Sequence, residues 1–349
     1  MNSTQETPDI YLLTGATGYV GGAVTRLLLD RAEGKEISGV PSVGNKKIKV
    51  RLLVRDVKKA KEFADRGAEI IQGDLTDPAS LKRAVQGVRG VYHIAAIYRE
   101  AGLPEEVYFN INAKGTKDLF EAAVQAGVKR IIHCSTGGVL GHIANPPGNE
   151  NTPYNPGDVY QRSKVEGEKT ALEYFRSGKI TGAIIRPAMV YGPADTRHLK
   201  MFKMIAKNCF FYVGKGDAWV NFIDIRDLSR SFILAMDKEH LNGGIYTIAN
   251  NSVMKLHEAV DIIAKKLGVS APWLHLPVKP MQWLGSLCET VCAPFGIKPP
   301  IFKRRVDFFT KSRYFDPSSA HRDLGFAPAQ SIEKEIEDTV NWYKEHHWI

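Results

Sequence analysis

The stretch that decides the fold is Ile10-Tyr-Leu-Leu-Thr-Gly15-Ala-Thr-Gly18-Tyr-Val-Gly21-Gly-Ala-Val-Thr-Arg-Leu-Leu-Leu29. An apolar run, three glycines at intervals of three and an amphipathic continuation predict a strand, a tight turn and a helix. Unpaired amides at a helix N-terminus attract phosphate oxygens, and glycines let a pyrophosphate approach the backbone. We therefore expect the turn to bind a dinucleotide, through Gly15, Thr17, Gly18, Tyr19, Val20 and Gly21.

Composition places the chain among ordinary globular proteins. Its 349 residues, 44% hydrophobic and 24% charged, suffice for one large domain or two intimately joined ones. The formal charge of +9 comes from scattered basic residues, and the densest run, Lys303-Arg304-Arg305, is short. No motif supports nucleic-acid binding, whereas a positive field suits an anionic cofactor or substrate.

The cysteines and the apolar segments bear on the cell compartment. Cys134, Cys209, Cys288 and Cys292 form neither a pair of CxxC motifs nor a zinc pattern, so we expect reduced thiols and no metal. There is no secretory signal and no apolar run of bilayer length, which predicts a cytoplasmic protein. The apolar segment 281–295 predicts a buried or interfacial helix, and peripheral membrane contact stays open.

The residue after the second predicted strand bears on the choice of cofactor. The strand covers 48–54 and is followed by Arg55, and a basic residue at this point accommodates the 2′-phosphate of NADP. Lys58 and Lys59 would assist it. Asp56 is adjacent, and an acidic residue here would instead bind the ribose hydroxyls of NAD. NADP(H) is therefore the preferred cofactor, with NAD(H) as the alternative.

Strands and helices continue to alternate after this point. Further strands are predicted over 68–72, 90–96 and 130–134, which indicates an α/β fold with a Rossmann-type, doubly wound parallel sheet. Ligands of such sheets lie outside the carboxyl ends of the strands. Arg55, Asp74, Ala95, Ala96 and Ser135 all fall there, and the two small alanines leave room for a ribose. From the residues alone, Asp77 is a helix cap, Asp74 a turn residue and His93 a packed strand residue.

A candidate acid–base pair follows a loop rich in proline and glycine. Tyr160 and Lys164 are four residues apart, which puts them on one face of a helix. A phenol with a pKa near ~10 shuttles protons poorly at neutral pH, and an adjacent ammonium stabilises its phenolate. A hydroxyl at the end of the fifth strand, on Ser135 or Thr136, would position the substrate oxygen and stabilise the charge that develops there.

These motifs resemble the extended (atypical) short-chain dehydrogenase/reductase superfamily, the NAD-dependent epimerase/dehydratase family. The resemblance rests on the glycine spacing, on Tyr160-x-x-x-Lys164 after Ser135-Thr136, and on Arg186-Pro-x-x-Val190-Tyr-Gly-Pro193. In character the chain is closest to members like 3β-hydroxysteroid dehydrogenase and dihydroflavonol reductase. The similarity covers nearly the whole chain, but its specific motifs lie before residue 230.

The resemblance implies roles for individual residues, and it favours Thr136 as the catalytic hydroxyl, with Ser135 as the alternative. Asp74 and Leu75 would border the adenine, Lys164 would bind the nicotinamide ribose, and Pro187 and Val190 would lie around the nicotinamide. Asn112 would help to hold a proton-relay water; a helix-terminal asparagine that satisfies backbone groups is the equal alternative. The resemblance also implies a homodimer, through helices near 103–125 and 160–176.

The domain prediction divides the chain near residue 190. Residues 8–190 form the NAD(P)-binding domain, with a return segment near 220–250, in which 220–228 is expected to re-enter the core sheet. Residues 191–349 form a smaller, mixed α/β substrate lobe. Its apolar segments 273–276, 281–295 and 301–309 are expected to line an apolar substrate pocket.

The predicted function is an NADP(H)-preferring oxidoreductase that interconverts a ketone and a secondary alcohol on a small, apolar, steroid-, flavonoid- or β-keto-lipid-like substrate. A nucleotide-sugar epimerase or dehydratase is the alternative, weakened because Val220 stands where many such members carry an arginine. A non-catalytic NADP-binding sensor is a third reading. The presence of Tyr160, Lys164 and Thr136 argues against it.

Overall fold

The computed structural model describes residues 7–42, 44, 46–100, 102–292 and 303–349. Its centre is a parallel sheet of seven described strands in the order β11-β6-β5-β4-β1-β2-β3. The strands are β1 Asp9–Thr14, β2 Ile48–Val54, β3 Glu69–Gln72, β4 Val88–His93, β5 Arg130–Cys134, β6 Thr181–Pro187, β7 Met189–Tyr191, β8 Tyr212–Val213, β9 Trp219–Val220, β10 Phe222–Asp224, β11 Gly244–Ile248, β12 Met254–Lys255 and β13 His275–Leu276.

Helices cover both faces of this sheet. They are α1 Tyr19–Ala32, α2 Lys61–Asp65, α3 Pro78–Ala84, α4 Glu105–Phe109, α5 Gly115–Gln125, α6 Val159–Arg176, α7 Leu199–Ala206, α8 Ile225–Asp237, α9 Leu256–Leu267, α10 Val278–Cys292, α11 Lys303–Thr310 and α12 Ile332–Glu345. One buried cluster joins the sheet to α1 and α8, and a second joins it to α3, α5 and α6. Apolar side chains on both faces of the strands make the sheet doubly wound, as predicted.

Strand positions in the first half follow the sequence pattern closely. The predicted bounds of β2 and β5 are confirmed, and all five residues of β5 are buried, as a central strand covered on both faces requires. The fourth strand is displaced: it covers Val88–His93 and not 90–96. Ile94 to Ala96 are therefore loop residues at the carboxyl edge, where the backbone can face a ligand.

The prediction that 220–228 re-enters the core sheet is wrong. Phe222–Asp224 pairs with Met189–Tyr191 in a separate two-stranded sheet, and Asp224 caps α8 by accepting from the Arg226 N–H at 2.7 Å. The strand that joins the main sheet is β11, beside β6. Two neighbouring parallel strands need a crossover connection between them. Between β6 and β11 that connection includes α8, so the strand that joins the sheet comes after this helix.

The C-terminal lobe has a core of its own. Helices α7, α9 and α12 enclose Phe202, Val260, Ile336 and Tyr343, all buried. Its strands are short, and they pair only two at a time. Packing between helices, more than strand pairing, holds this part of the chain together.

The apolar helix α10 faces outward. Trp283 is 69% exposed and Val291 is 55% exposed, with Leu284 and Leu287 on the same face. Of the two alternatives for this segment, the buried helix is wrong for this face, because four apolar side chains at helical spacing point to solvent. The interfacial helix stays a prediction. Residues 293–302, which include part of two apolar segments singled out from the sequence, and the side chains of Lys303-Arg304-Arg305 lie outside what the structure describes.

Candidate active site

A cleft of about 730 Å³ opens at the carboxyl ends of β1, β2, β4, β5 and β6. This volume is in the range of sites that bind cofactors and small molecules. The cleft is lined by every predicted site residue except Asn112, namely Gly15, Thr17, Gly18, Tyr19, Val20, Gly21, Arg55, Asp74, Leu75, Ala95, Ala96, Ser135, Thr136, Tyr160, Lys164, Pro187 and Val190.

The glycine turn is shaped to admit a dinucleotide. Gly15 has φ +82°, and a Cβ there would lie 2.7 Å from the backbone nitrogen of Ala95. A Cβ on Gly21 would lie 2.0 Å from the carbonyl oxygen of Gly15. Gly18 is the N-cap of α1 and offers no side chain to cap it, so the first amides of the helix stay available to an anion. These residues fit a pyrophosphate.

The adenosine end of the cleft is marked by an exposed arginine. Arg55 is the first residue after β2, its side chain is 79% exposed, and its Nε lies 3.7 Å from a carboxylate oxygen of Asp74. The carboxylate of Asp56 accepts from the Lys58 N–H at 3.0 Å and so caps the next turn. Lys59 lines the cleft beside Arg55, and Asp56 and Lys58 do not.

Two aspartates near this end have the local roles expected from their residue types. The Asp74 carboxylate accepts from the N–H of Thr76 at 2.8 Å and also from its hydroxyl. Asp77 caps α3 through the Ala79 N–H at 3.0 Å. The helix-cap and turn interpretations are confirmed, and Asp74 still borders the cleft.

Helix α6 carries the candidate acid–base pair, Tyr160 and Lys164. Asp158 caps it through the Gln161 N–H at 2.8 Å, which fixes the start of the helix one turn before Lys164. Tyr160 and Lys164 are both buried and both line the cleft. The Lys164 Nζ donates to the carbonyl oxygen of Cys134 at 2.7 Å, which anchors the ammonium at the end of β5.

The surroundings of Tyr160 set its protonation. Burial raises the pKa of Tyr160, and the guanidinium of Arg99, 5.4 Å from the ring centre, opposes this rise. Tyr98 packs edge-on against the same ring at 5.0 Å. Burial lowers the pKa of Lys164. Burial therefore keeps the phenol protonated and makes it a weaker acid than in water, whereas it makes the lysine ammonium a stronger one.

The two hydroxyls at the end of β5, on Ser135 and Thr136, have different hydrogen-bond partners. Ser135 is buried and donates to the carboxylate of Glu168, which also accepts from Arg186 and, at 2.8 Å, from the hydroxyl of Tyr154. Thr136 Oγ1 accepts from the Gly138 N–H at 3.1 Å and keeps its own proton to donate. Thr136 is the hydroxyl that can serve a substrate oxygen. Sequence reasoning missed Glu168, although it follows Lys164 by one helical turn.

Asn112 lies away from the cleft wall. Its amide oxygen accepts from the Ile97 N–H at 2.8 Å, and its amide nitrogen donates to the Ile97 carbonyl and to Ser163 Oγ. The side chain thus ties the loop after β4 to α6. His93 is a packed strand residue, as predicted, with a hydroxyl on each ring nitrogen, from Thr14 and Thr116.

The substrate end is formed mostly by residues that the sequence did not single out. From the loop after β4, from β7 and the segment after it, and from the C-terminal part come Ile97, Tyr98, Arg99, Met189, Arg197, His198, Phe308, Arg313 and Phe315. Of the apolar segments expected here, only Phe308 contributes within the described residues. The expectation for Trp273 and for 281–292 is wrong, because Trp273 is 82% exposed and the apolar face of α10 points away from the cleft.

Among the described residues, no group of three or more His, Cys, Asp or Glu side chains is placed to hold a metal ion. None of their helices has the length and apolar character that crossing a bilayer demands.

Comparison with known proteins gives concordant matches. The sequence model of the NAD dependent epimerase/dehydratase family matches residues 11–249. Sterol demethylase protein B of Methylococcus capsulatus is 29% identical over 350 residues, which are 97% of this chain and 99% of that protein.

Solved structures share the fold over the same length. The crystal structure of gox2253 has a TM-score of 0.78 and 28% identity, covering 98% of this chain and 99% of the other. DesIV, a dTDP-glucose 4,6-dehydratase of Streptomyces venezuelae solved with NAD and TYD bound, has a TM-score of 0.73 and 24% identity, covering 97% and 98%.

Proposed function

Since the chain belongs to the NAD dependent epimerase/dehydratase family and is an NAD(P)-dependent enzyme of the extended short-chain dehydrogenase/reductase type, we propose that it interconverts a ketone and a secondary alcohol on an apolar substrate, with NADP(H) as the preferred cofactor. The observation that carries this proposal is the convergence of the glycine turn, Thr136, Tyr160 and Lys164 on one cleft.

The residues divide the chemistry among them. When bound, NADP(H) supplies or accepts the hydride. Tyr160 gives its phenolic proton to the substrate oxygen in reduction and takes it back in oxidation. Lys164, anchored on the Cys134 carbonyl, stabilises the phenolate by its charge. Thr136 donates a hydrogen bond to the substrate oxygen and so stabilises the charge that develops there.

The preference for NADP rests on the end of β2. The strand ends at Val54, so Arg55 holds the position next to the adenosine ribose, and Lys59 stands beside it at the cleft. Asp56, the residue that would favour NAD, uses its carboxylate as a cap. A 2′-phosphate would gain charge-assisted hydrogen bonds from Arg55 that NAD cannot make.

The apolar character of the substrate rests on the other end of the cleft. Phe308, Phe315, Met189 and Ile97 line it. A relative over nearly the full length is a sterol demethylase protein, which is consistent with a large apolar substrate.

The proposal is tested by binding and turnover together. NADPH and NADH are titrated into the purified protein by fluorescence, and NADPH oxidation is followed with panels of apolar ketones and of UDP-sugars. We expect tighter binding of NADPH and ketone-dependent oxidation. Conversion of a UDP-sugar with NAD and without net cofactor consumption would establish an epimerase instead.

Two variants assign the roles. Arg55→Ser should weaken NADPH binding by about ten- to hundredfold, the value of one or two charge-assisted hydrogen bonds, and leave NADH unchanged. Tyr160→Phe should lower kcat by about 10²–10⁴-fold at unchanged NADPH affinity, because it removes the proton donor alone. Full turnover in Tyr160→Phe would support the non-catalytic sensor.

Two further expectations from the sequence stay predictions: the cytoplasmic location and the homodimer. The helices proposed for the dimer carry ion pairs on their outer faces, Arg162 with Glu105 and Lys169 with Glu166. Light scattering at 50 mM and 500 mM salt would test the homodimer, and a monomer at both would refute it.

A further inference from the structure

The substrate end of the cleft contains a guanidinium without a counter-ion. Arg313 lines the cleft, and its Nε is buried with no hydrogen-bond partner in the part of the chain that the structure describes. Its backbone is fixed independently of its side chain, since the Arg313 N–H donates to the Trp219 carbonyl at 2.7 Å beside a bridge to Val220. Arg313 as a whole is only partly buried, but an N–H that is enclosed without a hydrogen-bond partner is costly.

The acidic groups around Arg313 are bound to other cations. Asp158 and Asp307 act on Arg313 only from a distance. Asp158 accepts from Arg99 Nε at 2.8 Å, and Asp307 pairs with Lys311 at 2.8 Å. Burial and the charge of Arg99 both lower the pKa of Arg313. The local field therefore favours a negative group that comes from outside the described chain.

The other two arginines at this end, unlike Arg313, each have a carboxylate partner. Arg99 is held by Asp158, and Arg197 by Asp195 at 2.8 Å. Of the three arginines that line the substrate end in the described part of the chain, Arg313 alone has no carboxylate partner. One free charge matches one carboxylate better than the two charges of a nucleotide diphosphate.

The position of Arg313 separates it from the cofactor phosphates. Its neighbours Tyr98 and Arg99 pack against the ring of Tyr160. The residue that we propose to bind a 2′-phosphate is Arg55, which lies beside Asp74 at the other end of the cleft. An anion bound at Arg313 thus belongs to the substrate.

From this geometry we propose that Arg313 binds the carboxylate of an apolar keto or hydroxy acid, and that it selects such acids over uncharged analogues. The aromatic side chains of Phe308 and Phe315 line the same end of the cleft and suit the apolar body. The inference rests on the proposed function, because it names the substrate class of that same site.

The test measures binding by calorimetry with the NADP⁺-saturated protein, in which a keto probe cannot be reduced during the titration. The probes are a polycyclic keto acid, its methyl ester and UDP-glucose. We expect the wild type to bind the acid about ten- to hundredfold more tightly than the ester, as a charge-assisted pair requires. Arg313→Gln should lose that difference and leave ester binding unchanged, and Arg313→Lys should retain part of it.

Controls separate this role from a structural one. Arg322→Gln, which removes an exposed arginine paired with Asp323, should change nothing. Circular dichroism and NADPH affinity of Arg313→Gln should match the wild type. Equal affinity of the wild type for acid and ester would overturn the inference, as would an equal loss for both in Arg313→Gln. The inference would also be overturned if Arg313→Gln weakened the binding of UDP-glucose and of neither other probe.

The two proposals fail in distinguishable ways. If the acid binds through Arg313 but no ketone is reduced, the oxidoreductase function is wrong and the carboxylate site stands. If the ester is reduced and the acid has no advantage, the function stands and the carboxylate site is wrong. Calorimetry on the protein without cofactor decides the second point even if NADP⁺ does not bind.

Discussion

Two buried glutamates, one in each half of the molecule, differ in how their carboxyl groups are stabilised. Glu168 on α6 forms an ion pair with Arg186 and accepts from Ser135 and Tyr154. Glu335 on α12 accepts from the hydroxyl of Tyr191 at 2.7 Å and from the amide of Asn250, and in the described chain no cation pairs with it. Burial raises the pKa of Glu335 to about 8.

The difference shows how each half is built. Next to the cleft, a fixed charge pair connects α6 to β6 and, through Ser135, to the end of β5. In the C-terminal lobe, the carboxyl group is kept largely neutral and joins α12 by hydrogen bonds to β7 and to the segment that follows β11. The first arrangement depends on charge compensation, and the second depends on pH.

The largest effect is expected from breaking the ion pair. Glu168→Gln keeps the shape of the side chain but leaves Arg186 buried without a counter-charge, which should lower the free energy of unfolding by about 3–5 kcal/mol. Urea denaturation measures it. Glu166→Gln, on the exposed face of the same helix, should cost at most about 1 kcal/mol. Equal losses in the two variants would show that the pair does not stabilise this half.

The second test concerns the pH dependence of the other glutamate. Unfolded Glu335 loses its proton near pH 4.5, whereas the folded group keeps it up to about pH 8. The folded state therefore binds more protons in this window, and stability falls as pH rises through it. The free energy of unfolding of the wild type should therefore fall, relative to that of Glu335→Gln, by on the order of 4 kcal/mol between pH 5 and pH 8.5.

Denaturation at several pH values would measure this fall. Glu333→Gln, at an exposed position of the same helix, is the matched control and should follow the wild type throughout. Parallel curves for Glu335→Gln and wild type would mean that Glu335 is ionised in the folded protein, and the contrast with Glu168 would disappear.

The third test separates packing from cofactor binding within the glycine turn. A Cβ on Gly21 meets the Gly15 carbonyl at 2.0 Å, whereas one on Gly18 lies 3.4 Å from the same atom. Gly21→Ala should lower the free energy of unfolding by about 1–3 kcal/mol through overpacking. Gly18→Ala should leave stability nearly unchanged and weaken NADPH binding. The reverse pattern would contradict the roles assigned to the two glycines.

The smallest effect is expected on the outward face of α10. Trp283→Ala should change the free energy of unfolding by less than about 0.5 kcal/mol, because the side chain is 69% exposed. Phe202→Ala, in the buried core of the same lobe, should cost about 3–5 kcal/mol. A large loss in Trp283→Ala would show that this face is covered in solution.

The sequence was most informative where function depends on local spacing. The turn from Gly15 to Gly21, the ends of β2 and β5, and the shared face of Tyr160 and Lys164 are all set within a few residues of chain. Sequence reasoning failed at 220–228 and in the apolar segments of the lobe. Both depend on which distant segment lies alongside, and hydrophobicity alone does not encode that choice.

The sequence by itself therefore determined the doubly wound sheet, the place of the cofactor turn and the acid–base pair. Only the tertiary structure decided that Asn112 ties a loop to a helix, that Ser135 is committed to Glu168, and that Arg313 reaches the cleft without a counter-ion. The physical reason is that periodicity and turn chemistry act along the chain. Burial and the pairing of polar groups depend on residues that are far apart in the chain: Asn112 lies 15 positions from its partner Ile97, and Ser135 lies 33 positions from Glu168.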